Sequence, residues 1–125
     1  MMKKISTPKA PAAIGPYEQG YVVNGIVYTS GQASINPADG SIPEGIEAQA
    51  EQACRNVGAV LEAGGADYTT VIKTTCFLAD MNDFAAFNAV YEKYFVNKPA
   101  RSCVAVKTLP KNALCEIEAI AEVKE

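Results

Sequence analysis

The sequence predicts an α+β fold of order ββαβαββ in one domain, residues 1–125, with a mixed sheet and two helices on one of its faces. The chain has 125 residues, a length typical of a single domain. Hydrophobic residues make up 49% of it, enough for a packed core. The spacing of its apolar residues also changes between that of strands and that of helices along the chain.

The first strands are predicted to form a hairpin and the first helix to follow a loop. Residues 21–23 and 26–30 flank an Asn-Gly pair, which supplies the two positive φ angles of a type I′ turn. Residues 36–40 are rich in turn formers. From residue 46, apolar residues three and four apart indicate one buried helical stripe: Ile46, Ala50, Ala53, Cys54, Val57, Val60 and Leu61. Gly64 and Gly65 are predicted to end this helix.

The second half of the chain is predicted to contain a strand, a helix and then two further strands. Residues 71–78 are β-branched and apolar, which favours a strand. Asp80 or Asn82 caps the next helix in this prediction, and Pro99 ends it. That helix carries an aromatic stripe predicted to lie in the core: Phe84, Phe87, Tyr91, Tyr94 and Phe95, with Val90. Residues 102–106 and 115–123 are predicted as the last strands, joined by a turn at 109–112.

The last strand is predicted to separate two unlike faces. Cys115, Ile117, Ala119, Ala121 and Val123 alternate with Glu116, Glu118, Ile120 and Glu122. Two helices cover only one face of such a sheet. The face with two glutamates and an isoleucine is neither a plain core nor a plain solvent surface. We therefore expect that face to pack against other subunits, with a site at the junction.

Composition excludes several classes of function. The net charge is −3 and Lys3-Lys4 is the only adjacent basic pair, which argues against a nucleic-acid partner. No segment approaches the roughly 20 apolar residues of a membrane span, and no apolar signal region follows the start, so we expect a cytoplasmic protein. The four cysteines are widely spaced and there is no histidine, so we expect reduced thiols and no metal.

Without histidine, the usual nucleophile–base pairs cannot form in this chain, and arginine and carboxylate chemistry remains. Arg101 opens a predicted strand, and its planar guanidinium suits a carboxylate ligand, although taken alone the residue is better explained by an ordinary ion pair with a strand glutamate. Glu116 would lie beside Arg101 if the last two strands paired as a hairpin. Glu118 shares the face of Glu116, so alternation does not choose between them. Cys103 shares the face of Arg101, and a packing role is favoured for its side chain.

Several short segments together resemble the RidA (YjgF/YER057c/UK114) family. They lie at residues 13–17 (AIGPY), 29–32 (TSGQ), 82–84 (NDF), 99–102 (PARS) and 116–119 (EIEA). The resemblance covers nearly the whole chain. The Pro-Ala-Arg-Ser segment followed by Glu-Ile-Glu is the specific signal.

The resemblance implies a RidA-like, chorismate-mutase-like domain assembled as a homotrimer, with sites between subunits. It implies a cofactor-independent deaminase that hydrolyses 2-imino and 2-enamino acids, such as 2-aminoacrylate, 2-iminopropanoate and 2-iminobutanoate, to 2-oxo acids and ammonia. Catalytic roles are implied for Arg101, which binds the substrate carboxylate, and Glu116, which positions water. The pocket residues implied with them are Tyr17, Ser30, Gly31, Asn88 and Cys103.

Two positions depart from the family pattern, and two other functions remain open. Cys115 stands where the family usually has an aliphatic residue, and Lys98 where an aromatic is common. The first departure weakens the choice of Glu116 over Glu118. A trimer that binds small carboxylates without turnover is the alternative function. An endoribonuclease is a third, against which the negative charge and the lack of histidine argue.

Overall fold

The strands form one mixed sheet in the order β1-β2-β3-β7-β5-β6, with the short β4 paired to β7. The structure is a computed structural model that describes residues 1–125. Its strands are β1 (Lys3–Ile5), β2 (Gly20–Val23), β3 (Ile26–Thr29), β4 (Gln32–Ala33), β5 (Val71–Leu78), β6 (Ala100–Ala105) and β7 (Cys115–Glu122). Its helices are α1 (Ile46–Ala63) and α2 (Phe84–Tyr94). The predicted α+β class is confirmed.

The local turns follow the predicted residues. Asn24 and Gly25 have φ angles of 51° and 78°, and β2 and β3 pair antiparallel on either side of them. Gly65, with a φ of 90°, follows the end of α1 in the left-handed conformation that glycine favours. Asp80 caps the 3₁₀ turn before α2, not α2 itself, by accepting from the Asn82 N–H. The hairpin and the end of α1 are therefore confirmed.

The last two strands do not pair as a hairpin, so the condition for placing Glu116 beside Arg101 is not met. β6 pairs in parallel with β5, and β7 pairs antiparallel with the other edge of β5. The helix α2 lies between β5 and β6 in the chain, and such a crossover returns the second strand parallel to the first. β1 and β4 were not predicted because strands of three and two residues are too short to show a period.

Both helices pack on one face of the sheet. The main core joins Val57 and Leu61 of α1, Phe87 and Tyr91 of α2, and Ile117 of β7. Cys115, Ala119 and Ala121 of β7 belong to the same core, whereas Glu116, Glu118 and Ile120 on the opposite face are half-buried. The predicted alternation of β7 is confirmed. Neither helix is long and apolar enough to cross a membrane.

Buried amides of α1 hold the segment that follows β4. Asn56 is fully buried, and its Nδ2 donates to the carbonyl oxygens of Ala33 and Ile35 at 2.9 and 2.8 Å. Gln49 accepts from the Ser34 hydroxyl and from the Leu114 N–H through its Oε1. These bonds satisfy backbone groups that would otherwise be buried without partners. They fix the segment 33–35 against the helix.

We predict that Asn56→Ala lowers the free energy of unfolding by about 1–3 kcal/mol, because the buried Ala33 carbonyl and the part-buried Ile35 carbonyl lose their donor. Gln52→Ala is the control, since Gln52 is half-exposed and loses only its bond to the Asn56 side chain. We expect it to change the stability by less than about 0.5 kcal/mol. Urea denaturation at one protein concentration measures both. Equal effects of the two substitutions would contradict the role of Asn56.

Candidate functional site

Arg101 lies at the start of β6, on the face of the sheet that the helices cover. Its Nη1 donates to Asn88 Oδ1 of α2 at 2.7 Å. Its guanidinium carbon lies 4.8 Å from the centre of the Tyr91 ring and 5.5 Å from that of Phe84. Arg101 forms no ion pair within the chain, so the ion pair with a strand glutamate is not found. A held guanidinium with unused donors suits a carboxylate ligand.

The aromatic ring beneath Arg101 is itself fixed. The Tyr91 hydroxyl and the Thr74 Oγ1 are 2.6 Å apart, and Thr74 is fully buried. The Tyr91 ring stacks on Phe95 with centroids 4.4 Å apart. Burial raises the pKa of Tyr91 to about 12, so the phenol stays neutral at neutral pH. The guanidinium therefore rests on a rigid platform that is also part of the core.

Cys103 lies on the same face as Arg101, two residues further along β6. It pairs with the buried Cys76 of β5 and is half-buried. Burial raises the pKa of the Cys103 thiol, and the Arg101 charge offsets part of that rise. All four cysteines are free thiols. The thiol is therefore mainly protonated near neutral pH and is suited to packing more than to nucleophilic attack.

Glu116 lies on the other face of the sheet, at the wall of a cavity of about 250 Å³. Burial raises the pKa of the Glu116 carboxyl, and the neighbouring Glu118 raises it further. The cavity is lined by Pro11, Ala12, Ile14, Tyr17, Gly31, Gln32, Ala33, Ile35, Asn36, Pro37, Gly40, Pro110, Lys111 and Glu116. A carboxylate with a raised pKa in such a cavity is suited to exchanging protons with water.

Tyr17 lies between this cavity and a second, more open one of about 550 Å³. Tyr17 lines both cavities, and Ser30 lines the second. The Ser30 hydroxyl donates to the Glu18 carbonyl at 2.6 Å, and its N–H donates to the Gln19 carbonyl at 2.8 Å. Ser30 therefore holds the loop that carries Tyr17 against the end of β3.

The sheet register keeps the two groups of residues apart within one chain. Thr74 of β5 pairs with Arg101 on one side and with Ala119 on the other, so these three share the helix-covered face. Phe77 pairs with Glu116, which therefore lies on the opposite face. Arg101, Asn88 and Cys103 form one group, and Glu116, Tyr17, Ser30 and Gly31 form the other. Arg101 and Glu116, which a hairpin of the last two strands would have made neighbours, are therefore not neighbours within one chain.

Some residues around the cavity were not predicted from the sequence. Gln19 is buried, and its side-chain amide binds backbone groups of Thr7, Ala10 and Pro11, which holds the segment ahead of Tyr17. Lys111 is the second charged residue of the cavity wall. Gln19 and Lys111 lie in segments without the apolar periodicity of a helix or strand, so a single sequence contains no signal that identifies them as residues around the cavity. Tyr91 was predicted only as a core residue, and its contact with Arg101 depends on the parallel pairing of β6.

Comparisons with known proteins find close relatives along the whole chain. A family model described as Endoribonuclease L-PSP matches residues 7–123. A Lactococcus lactis protein with the name "Putative regulator AldR" is 55% identical over 98% of this chain and 99% of its own length. The 2-iminobutanoate/2-iminopropanoate deaminase of Escherichia coli K12 is 50% identical over 97% of this chain and 98% of its own. Among solved structures, E. coli TdcF, crystallised with bound serine, superposes on this chain with a TM-score of 0.94. The two sequences are 44% identical, and the match covers 98% of this chain and 99% of TdcF.

We predict that Glu118→Gln lowers the pKa of Glu116. The substitution removes a negative charge that disfavours ionisation of Glu116, while burial remains and keeps the pKa above its ordinary value. A ¹³C NMR titration of labelled glutamate carboxyls measures the shift. Glu122→Gln is the control, because Glu122 lies on the same strand but is exposed and does not act on Glu116. An unchanged Glu116 titration in Glu118→Gln would refute the coupling.

Proposed function

This chain belongs to the Endoribonuclease L-PSP family, and on that premise we propose that it is an imine deaminase. Its substrates are small 2-imino and 2-enamino acids, namely 2-aminoacrylate, 2-iminopropanoate and 2-iminobutanoate, and its products are 2-oxo acids and ammonia. The name of the E. coli relative at 50% identity supports this activity. The observation that carries the proposal is an unpaired, rigidly held Arg101 together with a half-buried carboxylate, Glu116, at a small cavity.

Arg101 binds the substrate carboxylate in this proposal. Its Nη1 donates a hydrogen bond to Asn88, which orients the guanidinium and leaves its other N–H groups free for a bidentate contact with a carboxylate. The Tyr91 and Phe84 rings support the guanidinium without neutralising it. The serine bound to TdcF also carries an α-carboxylate, which is consistent with a ligand of this class. Arg101 thereby fixes the imine carbon relative to the water.

Glu116 handles the water in this proposal. An enamine substrate first gains a proton at its β carbon and so becomes the protonated imine. The Glu116 carboxylate accepts a proton as a water oxygen bonds to the carbon of the protonated imine, which gives a neutral tetrahedral carbinolamine. The protonated Glu116 then returns this proton to the nitrogen. The C–N bond breaks and ammonia leaves, while the hydroxyl proton passes back to Glu116 as the C=O bond forms and is then lost to solvent. A raised pKa favours these proton transfers near neutral pH.

The reaction requires neither a metal nor an organic cofactor. The imine carbon is already electrophilic, and each tenfold acceleration corresponds to only about 1.4 kcal/mol. Orientation by Arg101 and proton transfer by Glu116 supply several such factors. We propose that the chain works as one RidA-like domain of residues 1–125 in the cytoplasm and that it takes no nucleic-acid partner.

The complete site requires two copies of the chain in this proposal. One copy contributes Glu116, Tyr17, Ser30 and Gly31, and its neighbour contributes Arg101, Asn88 and Cys103. Such a contact joins two different surfaces, and it closes into a ring when the rotation between copies permits. We propose a chorismate-mutase-like homotrimer as that ring.

The sheet face opposite the helices supports this association. Tyr28 and Val104 are exposed by 45% and 47% of their surface, and Ile120 lies half-buried on the same side as Glu116. Exposed apolar residues beside polar site residues are typical of a protein interface. The open cavity beside Tyr17 and Ser30 leaves room for the Arg101 edge of a neighbouring copy.

RNA cleavage is the second candidate, because the description of the matched family names an endoribonuclease. The net charge of −3 disfavours it, since most of the affinity of nucleic-acid binders comes from contacts between basic residues and phosphates. The chain also has no histidine for the proton transfers of phosphodiester cleavage. Deamination agrees better with the arginine and the carboxylate that the chain provides.

We predict that Arg101→Ala nearly abolishes imine hydrolysis and that Arg101→Lys restores little, because an ammonium does not reproduce the fork. Loss of such a contact costs about 2–5 kcal/mol, or roughly thirty- to several-thousand-fold in kcat/KM. Glu116→Gln should lower kcat by about a hundredfold or more while binding of pyruvate persists. Steady-state hydrolysis of enzymatically generated 2-aminoacrylate and calorimetric binding of pyruvate are the measurements.

Glu118→Gln is the matched control, because Glu118 shares the face of Glu116 but does not line the cavity. Near-normal turnover in Arg101→Ala would remove the mechanism. A larger loss in Glu118→Gln than in Glu116→Gln would assign the water to the other glutamate. Pyruvate binding without imine turnover in the unaltered protein would instead support the non-catalytic carboxylate binder.

A further inference from the structure

Gly31 occupies a position at which the backbone does not require glycine. It joins β3 to β4 and lines the cavity beside Glu116. The glycines in the left-handed region are Gly25, Gly40, Gly45 and Gly65, and Gly31 is not one of them. A side chain at residue 31 would therefore not meet the backbone strain of the left-handed region. The reason for glycine at this position must therefore be the space beside it.

That space is occupied by the side chain of Glu116. A Cβ placed on Gly31 would lie 2.9 Å from Glu116 Cδ and 3.3 Å from Cγ, and closer still to Oε2. Carbon atoms without a bond between them pack at about 3.5–4.0 Å. Even the smallest side chain at residue 31 would therefore require the carboxylate to move.

The strand register explains the contact. Ala33 pairs with Glu116 and Gln32 with Ile117, so in an extended chain residue 31 faces the same side as Glu116 and lies next to Glu118. The Glu116 side chain turns along the sheet and lies over the bare backbone of Gly31. This position keeps the carboxylate half-buried and brings it toward Glu118.

We propose that Gly31 is a positioning residue, whose missing side chain forms the seat of the Glu116 carboxylate in the cavity. The proposal rests on the proposed function of Glu116, and it adds the group that determines where this carboxylate lies. It assigns to Gly31 a steric role that needs no contact with the substrate. Displacement from the seat would carry the carboxylate toward solvent and away from the position that a bound water must share.

The groups around the seat define the expected change in titration. Glu118 is the negative neighbour on β7, and Lys111 and Tyr17 are the titratable groups on the other cavity walls. Thr75 and Phe77, the β5 partners of Glu118 and Glu116, are uncharged. A carboxylate moved outward gains solvent and leaves Glu118, so its pKa falls toward the ordinary value.

The test is Gly31→Ala, examined by kinetics and by NMR. We expect a folded protein, because the clash falls on the end of a flexible side chain. We expect kcat to fall by about a hundredfold, since a displacement of about 1 Å has such an effect. KM should change little, because Arg101 is untouched. The acid limb of the pH–rate profile should move to lower pH, together with the ¹³C titration of Glu116.

Two further variants separate the seat from a general loss of structure. Gly31→Ala/Glu116→Asp should be more active than Gly31→Ala, because the shorter carboxylate clears the added methyl group. Gly25→Ala introduces backbone strain in the hairpin turn, with nothing within 4 Å of the added carbon. We expect Gly25→Ala to lower the stability of the protein and to leave the acid limb of the pH–rate profile unchanged.

The NMR titration of Glu116 distinguishes failure of this proposal from failure of the proposed function. A Glu116 titration in Gly31→Ala identical to that of the unaltered protein would overturn the seat, whatever the activity. A lowered Glu116 pKa in Gly31→Ala, together with no imine hydrolysis by the unaltered protein, would support the seat and refute the deaminase. A Gly31→Ala protein that unfolds while Gly31→Ala/Glu116→Asp folds would also support it, whereas failure of both to fold would overturn it.

Discussion

The position of β5 between β6 and β7 is the constraint on which the site depends. Residues paired across a sheet share a face and successive residues alternate, so Thr74 places Arg101 with the helices and Phe77 places Glu116 on the other side. A guanidinium and a carboxylate on opposite faces do not neutralise each other. Each stays available for a ligand, and the association that we propose between two copies of the chain would bring them to one cleft.

Each half of the site is rigid for a different reason. The Arg101 half depends on α2, where Asn88 orients the guanidinium and the Tyr91 ring supports it from within the core. The Glu116 half depends on loops that buried amides hold in place, Gln19 on the N-terminal side and Asn56 on the side of β4. Such preorganisation lowers the cost of placing a substrate, which is the main task when the electrophile is already reactive.

Local patterns in the sequence predicted the local structure well. The Asn-Gly turn, the apolar stripe of α1, the β5 strand and the two faces of β7 each depend on neighbouring residues, and each is confirmed. The pairing of β6 with β5 depends on a crossover through α2 and has no local signal, so the sequence could not show whether β6 pairs with β5 or forms a hairpin with β7. The candidate residues came from the family resemblance and from the absence of histidine. The cavity around Glu116 joins segments distant in sequence, and for this reason the roles of Gln19 and Lys111 could not be predicted.

Subunit mixing tests most directly whether one site is built from two copies. The Arg101→Ala and Glu116→Gln proteins are each expected to be inactive alone. Equal amounts of the two proteins are mixed, dissociated into single chains and allowed to reassociate. In a three-membered ring with random assembly, about a quarter of the junctions pair an intact Arg101 with an intact Glu116, so about a quarter of the normal activity should return. Activity no higher than that of the separate variants, in a mixture shown by mass spectrometry to contain hybrid rings, would contradict the composite site.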